Sequence, residues 1–164
     1  MDYILEYKKF NRNILYLHGL DGELNKDYKK IIHDLGFNYI GISVDYHTDN
    51  VWDIISKIDI DGVIGHSLGG YMAYYLSNFK KIPALLLMPS FDKQDIKLQT
   101  IPGNVKQMKE YKDKIALIGS KDVSVNKKLQ KENLKNVKIY EEEMQHDLTN
   151  PIFKKYAKIF IDKF

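Results

Sequence analysis

The stretch Val63-Ile64-Gly65-His66-Ser67-Leu68-Gly69-Gly70-Tyr71 decides how the rest of this chain is read. It opens as an apolar strand, passes through a Gly-x-Ser-x-Gly turn and runs into an amphipathic segment. That is the sequence form of a nucleophile elbow, in which a serine sits on a tight strand-to-helix turn with its hydroxyl clear of the sheet edge. Backbone at such a serine is strained, and strand and helix crowd each other across it. Residues without a Cβ are therefore wanted at Gly65 and Gly69. A glycine-rich turn with an exposed serine would also satisfy the five-residue pattern. Its placement between a buried strand and a helix is the stronger signal, and it makes Ser67 the candidate nucleophile.

Working outward, the flanking segments alternate between short apolar runs and amphipathic stretches. Ile14-Leu15-Tyr16-Leu17, Tyr39 to Val44, Gly62 to Gly65, Ala84 to Met88, Ile115 to Ile118 and Val137 to Tyr140 read as strands, most of them buried on both faces. Tyr3 to Tyr7 reads as a first edge strand. Helices are expected from a cap at Asn25 to a stop at Gly36, over Thr48–Ile58, over Leu68–Phe79 and over Val125–Asn133. A last helix is expected from an Asn150 cap with Pro151 at its first position. The segment Phe91 to Lys114 is more polar and reads as loop with one or two short helices. The pattern predicts an α/β fold: one domain over 1–164, a three-layer α/β/α sandwich with a mostly parallel sheet. Ligands of such sheets bind beyond the carboxyl ends of the strands. The polar punctuation falls there, at His18-Gly19-Leu20, Ser67, Asp122 and His146.

Composition narrows the chemistry. With 164 residues, 44% hydrophobic and 29% charged, the chain is long and apolar enough to bury a core. Its net charge of +3 is carried almost wholly by scattered lysines, since Arg12 is the only arginine. That is the pattern of solvated faces rather than of a nucleic-acid groove. No cysteine is present, so thiolate nucleophiles, disulfides and cysteine metal sites are excluded. The histidines lack zinc-ligand spacing, and no phosphate-cradling glycine motif appears. No cofactor or metal is expected. The opening Met1 to Glu6 has no basic and apolar leader pattern, and the apolar run Ile82 to Met88 is far too short for a bilayer. The expectation is a cytoplasmic protein without membrane or nucleic-acid partners; oligomeric state has no signal in the sequence.

A serine hydroxyl needs a base to take its proton, and a histidine suits the task near neutral pH. Of five histidines, His18 ends a buried strand and reads as a brace for the neighbouring turn. His33 faces away from its helix's apolar stripe, and His47 sits in a loop. His66 adjoins Ser67, so in extended backbone its side chain points the other way. His146, in the loop before the last helix, is the candidate base. The imidazole in turn needs an acid. Asp122 follows an apolar strand and stands in the chain order Ser, Asp, His. Its rivals are Asp92, Asp45 and Asp147. The backbone N–H groups of Leu68 and Leu20 are the candidate oxyanion donors, with Gly19 allowing the turn that aims the second.

Leu15 to Gly19, Ser67 to Tyr71, the Pro89 turn, Gly119 to Asp122 and Gln145-His146 together resemble the α/β-hydrolase superfamily. They are most similar to the small, nearly lidless bacterial esterases of the YqiA type. The chain departs from these at Met88, where they commonly carry asparagine before the proline. The resemblance implies an α/β-hydrolase fold with minimal or no cap. It further implies a serine hydrolase that cleaves carboxylic esters, some relatives thioesters, with Ser67, His146 and Asp122 as its triad. A small acyl ester is then the expected partner, and 91–114 is the only insertion with room to cover the site. The alternatives are a catalytically silent binding module on the same fold, or an acyltransferase.

Overall fold

The alternation of apolar side chains along the strands sets the layering. In the computed structural model, which describes residues 3–5, 9–92 and 101–164, β2 (Asn13–Leu17) sends Ile14 and Tyr16 to one face of the sheet and Leu15 and Leu17 to the other, all buried. The same two-faced burial recurs in β3 (Asn38–Ile42), β4 (Gly62–His66), β5 (Ala84–Leu87) and β6 (Lys114–Gly119). Strands apolar on both faces need helices on both faces.

Those helices are α1 (Lys26–Asp34), α2 (Val51–Ile55), α3 (Leu68–Lys80), α4 (Gly103–Lys106), α5 (Lys127–Asn133) and α6 (Asn150–Ile161). One core gathers α2, α3 and α4 through Val51, Trp52, Met72, Leu76 and Val105. The other gathers α1 and α6 through Tyr28, Ile32, Phe153 and Phe160. There Tyr28 and Phe153 stack with ring centroids 3.6 Å apart. Side-chain amides lock the same pair of helices: Asn25 Nδ2 donates to Asn150 Oδ1 at 2.9 Å, and Asn150 Nδ2 to Asp27 Oδ2 at 2.6 Å.

The sheet has seven strands in the order β1-β3-β2-β4-β5-β6-β7, with β7 spanning Lys138–Glu142. β1 (Tyr3–Leu5) pairs antiparallel with β3 at one edge, and the other six run parallel. This is the expected three-layer α/β/α arrangement. From β2 the chain moves outward to β3, whereas from β4 it moves the opposite way to β5. The loops after β2 and β4 therefore part at adjacent strand ends and open a crevice between them, which is where open α/β sheets bind ligands.

Among the boundaries that differ from expectation, three have local reasons. The helix expected from Thr48 begins only at Val51, because the Asp45 carbonyl takes the N–H groups of Thr48 and Asp49 into a turn and Asn50 caps the helix. The last helix follows Thr149, whose side chain makes no capping bond, with Asn150 already inside it and its amide used between helices. The last strand runs on to Glu142, since an edge strand tolerates charged residues that a central one would not. The expected cover over 91–114 falls partly on 93–100, outside the described residues. Of the described part, Ile101 and Val105 are buried in the α3-side core.

Candidate active site

Ser67 follows the last residue of β4 and has φ 55° and ψ −117°, a conformation that costs an L-residue free energy. The surroundings hold it there. Its N–H donates to Leu87 O at 2.9 Å, and its carbonyl accepts from Ser90 N at 3.0 Å and Tyr71 N at 3.2 Å. The flanking glycines are required by space. A Cβ on Gly65 would lie 2.1 Å from Gly69 O, and one on Gly69 would lie 2.3 Å from Leu17 O. Ser67 is 7% exposed, and its side chain makes no capping bond to the helix it precedes. Leu68 is the first residue of that helix, so its N–H has no intrahelical acceptor.

The turn after β2 lies against this serine: a Cβ on Gly19 would be 3.1 Å from Ser67 Cβ and 3.7 Å from Ser67 Oγ. Gly22 N–H closes the turn onto Gly19 O at 3.1 Å, with Asp21 at φ 52°. His18, buried beside it, accepts Val44 N–H on Nε2 at 3.1 Å. Its proton is therefore on Nδ1, which donates to Gly19 O at 2.7 Å. Tyr46 Oη donates to His18 O at 2.7 Å. The expected bracing role of His18 is thus seen in both its ring nitrogens. A trans peptide points its C=O and N–H in opposite directions. Pinning Gly19 O from two donors therefore fixes where the Leu20 N–H points.

Asp122 and His146 meet after β6 and β7. His146 Nδ1 lies 2.7 Å from Asp122 Oδ2, with the carboxylate 1% exposed and the imidazole 22% exposed. The other carboxylate oxygen accepts Ser124 N–H at 2.8 Å. Two of the rival acids are engaged elsewhere. Asp92 takes the Ser90 hydroxyl at 2.6 Å, and Asp45 takes His47 N–H at 2.8 Å in its own loop. His47 itself pairs with Asp21 at 3.0 Å on the surface. With Nδ1 held by a carboxylate, the nitrogen of His146 left for proton transfer is Nε2. Among the described residues no hydrogen bond links Ser67 Oγ to that ring in the resting site. Such contacts commonly tighten only with substrate bound.

Sequence reasoning assigned His66 nothing beyond pointing away from Ser67. In the structure its Nε2 is 3.0 Å from the carbonyl oxygen of His146, and the two rings lie 5.0 Å apart at 33°. Burial, and then the neighbouring His146, push the His66 imidazole down to about 4. The only signal in the chain was strand alternation, which gives direction but not destination. Met88, the departure from the resembling esterases, sits buried at φ 44°, a backbone region that asparagine tolerates better. Buried Gln130 donates to Pro89 O at 3.0 Å and steadies that turn from α5. Among the described residues no three His, Asp or Glu side chains cluster as a metal would need, and no helix is long and apolar enough to cross a membrane.

No curated protein matches the chain. Among solved structures it is similar to Est1E from Butyrivibrio proteoclasticus, with 15% identity, a TM-score of 0.69, and 94% of this chain and 88% of that one covered. The Bacillus cereus carboxylesterase gives 15% identity and a TM-score of 0.69 over 100% of this chain and 95% of that one. The S-formylglutathione hydrolase FrmB of Staphylococcus aureus gives 16% and 0.66 over 93% and 82%. At these identities the likeness is one of fold, and the fold is that of the α/β hydrolases. The pattern defining the Uncharacterised protein family (UPF0227) matches residues 13–144, from β2 to just short of His146, and the chain belongs to that family.

Proposed function

We propose that this protein is a serine hydrolase acting on carboxylic esters, or alternatively thioesters, of small acyl groups. The observation that carries the reading is the strained Ser67 at the crevice between β2 and β4, with the His146–Asp122 pair at 2.7 Å beyond neighbouring strands. The solved esterases of the same fold support it at the level of architecture.

In this reading Ser67 Oγ attacks the acyl carbon while His146 Nε2 takes the hydroxyl proton. Asp122, bonded to Nδ1, keeps the imidazole in the right tautomer and stabilises the imidazolium. The oxyanion is held by the N–H groups of Leu68 and Leu20. Leu68 contributes an amide that its helix leaves unpaired, and Leu20 one that His18 and Gly22 aim through Gly19 O. The intermediate collapses to an acyl-Ser67 ester, and the imidazolium gives its proton to the departing alcohol or thiol. Water then enters, loses a proton to Nε2 and attacks the acyl carbon. The carboxylic acid leaves and Ser67 recovers its proton. None of these steps calls on a metal or cofactor.

A fluorophosphonate probe tests the reading directly. The wild-type protein is expected to label at Ser67 and to hydrolyse short p-nitrophenyl esters faster than long ones. Ser67→Ala is expected to lose both activities while keeping its melting temperature. A folded wild type that does not label favours a binding module. Turnover retained in Ser67→Ala refutes the nucleophile. Transfer of the acyl group to added alcohols or amines in preference to water marks a transferase.

A further inference from the structure

We propose that His66 is a positioning residue, whose Nε2–H fixes the backbone of His146 and so holds the base at its working distance from Ser67. This rests on the reading of Ser67, His146 and Asp122 above.

The loop between β7 and α6 crosses exposed ground, and Glu143, Gln145 and Asp147 are open to solvent. Before His146 it is tied down by Lys121 N–H to Met144 O at 3.1 Å. At His146 it has two polar anchors of different kinds. Asp122 holds the ring at Nδ1, and His66 holds the main-chain carbonyl at 3.0 Å. Met144 and Leu148 pack against the core on either side, so a single anchor at the ring would leave only the short stretch between them to shift about the Asp122 oxygen, carrying Nε2 with it. The second anchor removes that freedom, and the His66 ring, 5.0 Å from the His146 ring, flanks it on one side.

The second anchor also comes from a telling place. His66 is the residue immediately before the nucleophile, at the end of a strand buried in the sheet. Its side chain leaves the backbone away from Ser67 and reaches a residue 80 positions later. Nucleophile and base are thereby referenced to one rigid strand end, through one peptide unit on one side and one hydrogen bond on the other. The chemistry of the contact fits. A carbonyl oxygen only accepts, so Nε2 must carry the proton. Burial keeps the ring neutral, so no second cation stands beside the imidazolium that forms on His146.

The test compares wild type with His66→Gln and His66→Phe in the full chain, by fluorophosphonate labelling rate and by short-ester kinetics. Glutamine places an N–H donor near the position of Nε2; phenylalanine keeps the ring's bulk without a donor. His66→Phe is expected to lose about 10- to 100-fold in labelling rate and in kcat, as a displaced catalytic group does. Its KM should change by less than about threefold, since ground-state binding is untouched. His66→Gln is expected to recover most of the loss. Should the Phe variant melt below the assay temperature, His66→Met, equally without a donor, takes its place with the same expectation. A donor-free variant that labels at the wild-type rate overturns the proposal, as does a Gln variant that falls as far as the Phe variant. A wild type that neither labels nor turns over ester overturns the reading of the site instead.

Discussion

At the scale of single residues, Ser67 shows what the site costs the fold. Its φ of 55° is held by bonds to Leu87, Ser90 and Tyr71, none of which involves its own hydroxyl. The hydroxyl is thus not a structural group here, and the strain is a stability cost that the proposed chemistry accounts for. Ser67→Gly should therefore be inactive yet more stable than wild type, by about 1–2 kcal/mol in denaturant unfolding. An unchanged or lower stability would mean that the turn is relaxed. How much of the site could be read from sequence divides along the same line. In the proposed reading Ser67, Asp122 and His146 are singled out by residue type and chain order, and the structure brings His146 onto Asp122. The choice of Asp122 over Asp92 was not settled by pattern, because both follow apolar strands. It is the bond from Ser90 that occupies Asp92. The contact from His66 to a carbonyl 80 residues away was illegible, since a backbone acceptor leaves no mark on the sequence.

At the scale of elements, the central strands were legible because each is apolar on both faces, which few other structures require. Ends were less so. The helix after the elbow stops at Lys80, and Lys81 turns left-handed at φ 57° with its N–H on Ser77 O. Glycine usually fills such a place, and its absence removed the stop signal. Lys81 is exposed, and its side chain makes a surface bond to Lys109 O at 3.2 Å. Lys81→Gly should therefore raise stability by about 0.5–1 kcal/mol, read as a higher denaturant midpoint with unchanged slope. A lower midpoint would show that the bond to Lys109 outweighs the backbone cost. The short α2 has a similar lesson. It was expected from Thr48, but the Asp45 carbonyl takes the Thr48 and Asp49 N–H groups and the Asn50 side chain caps at Asp53 N, so the helix starts only at Val51.

At the scale of the whole molecule, the charge that stands out lies at the sheet end away from the site. Lys114 begins β6 and is 2% exposed. Its ammonium donates to Asn78 Oδ1 at 2.6 Å and to Tyr111 O, and faces the Tyr74 ring at 4.9 Å. Neutral partners do not repay desolvation in full, and burial pulls this lysine down to about 8. The native state thus gives up this proton near pH 8, while the unfolded chain holds it to about 10.5. The destabilisation is complete below pH 8 and fades as pH rises from 8 towards 10.5. Measured against Lys114→Met, which cannot titrate, the wild type should gain about 2 kcal/mol between pH 7 and pH 10. A constant difference across that range would mean that the lysine is not perturbed in the native state.

The hydrogen bond between His66 and His146 also bears on the order of events in folding. Ser67 and the turn at Gly19 belong to the first half of the chain and lie on adjacent strands. The base reaches them only after β5, β6 and β7 have been laid down beside β4. Loop closure over so long a span is entropically late. During refolding, secondary structure should therefore return before reactivity does, and fluorophosphonate labelling should lag the far-ultraviolet signal. On the proposed mechanism, a half-folded molecule would carry its serine without the base that arms it, and the centre would gain its reactivity only when the sheet is complete.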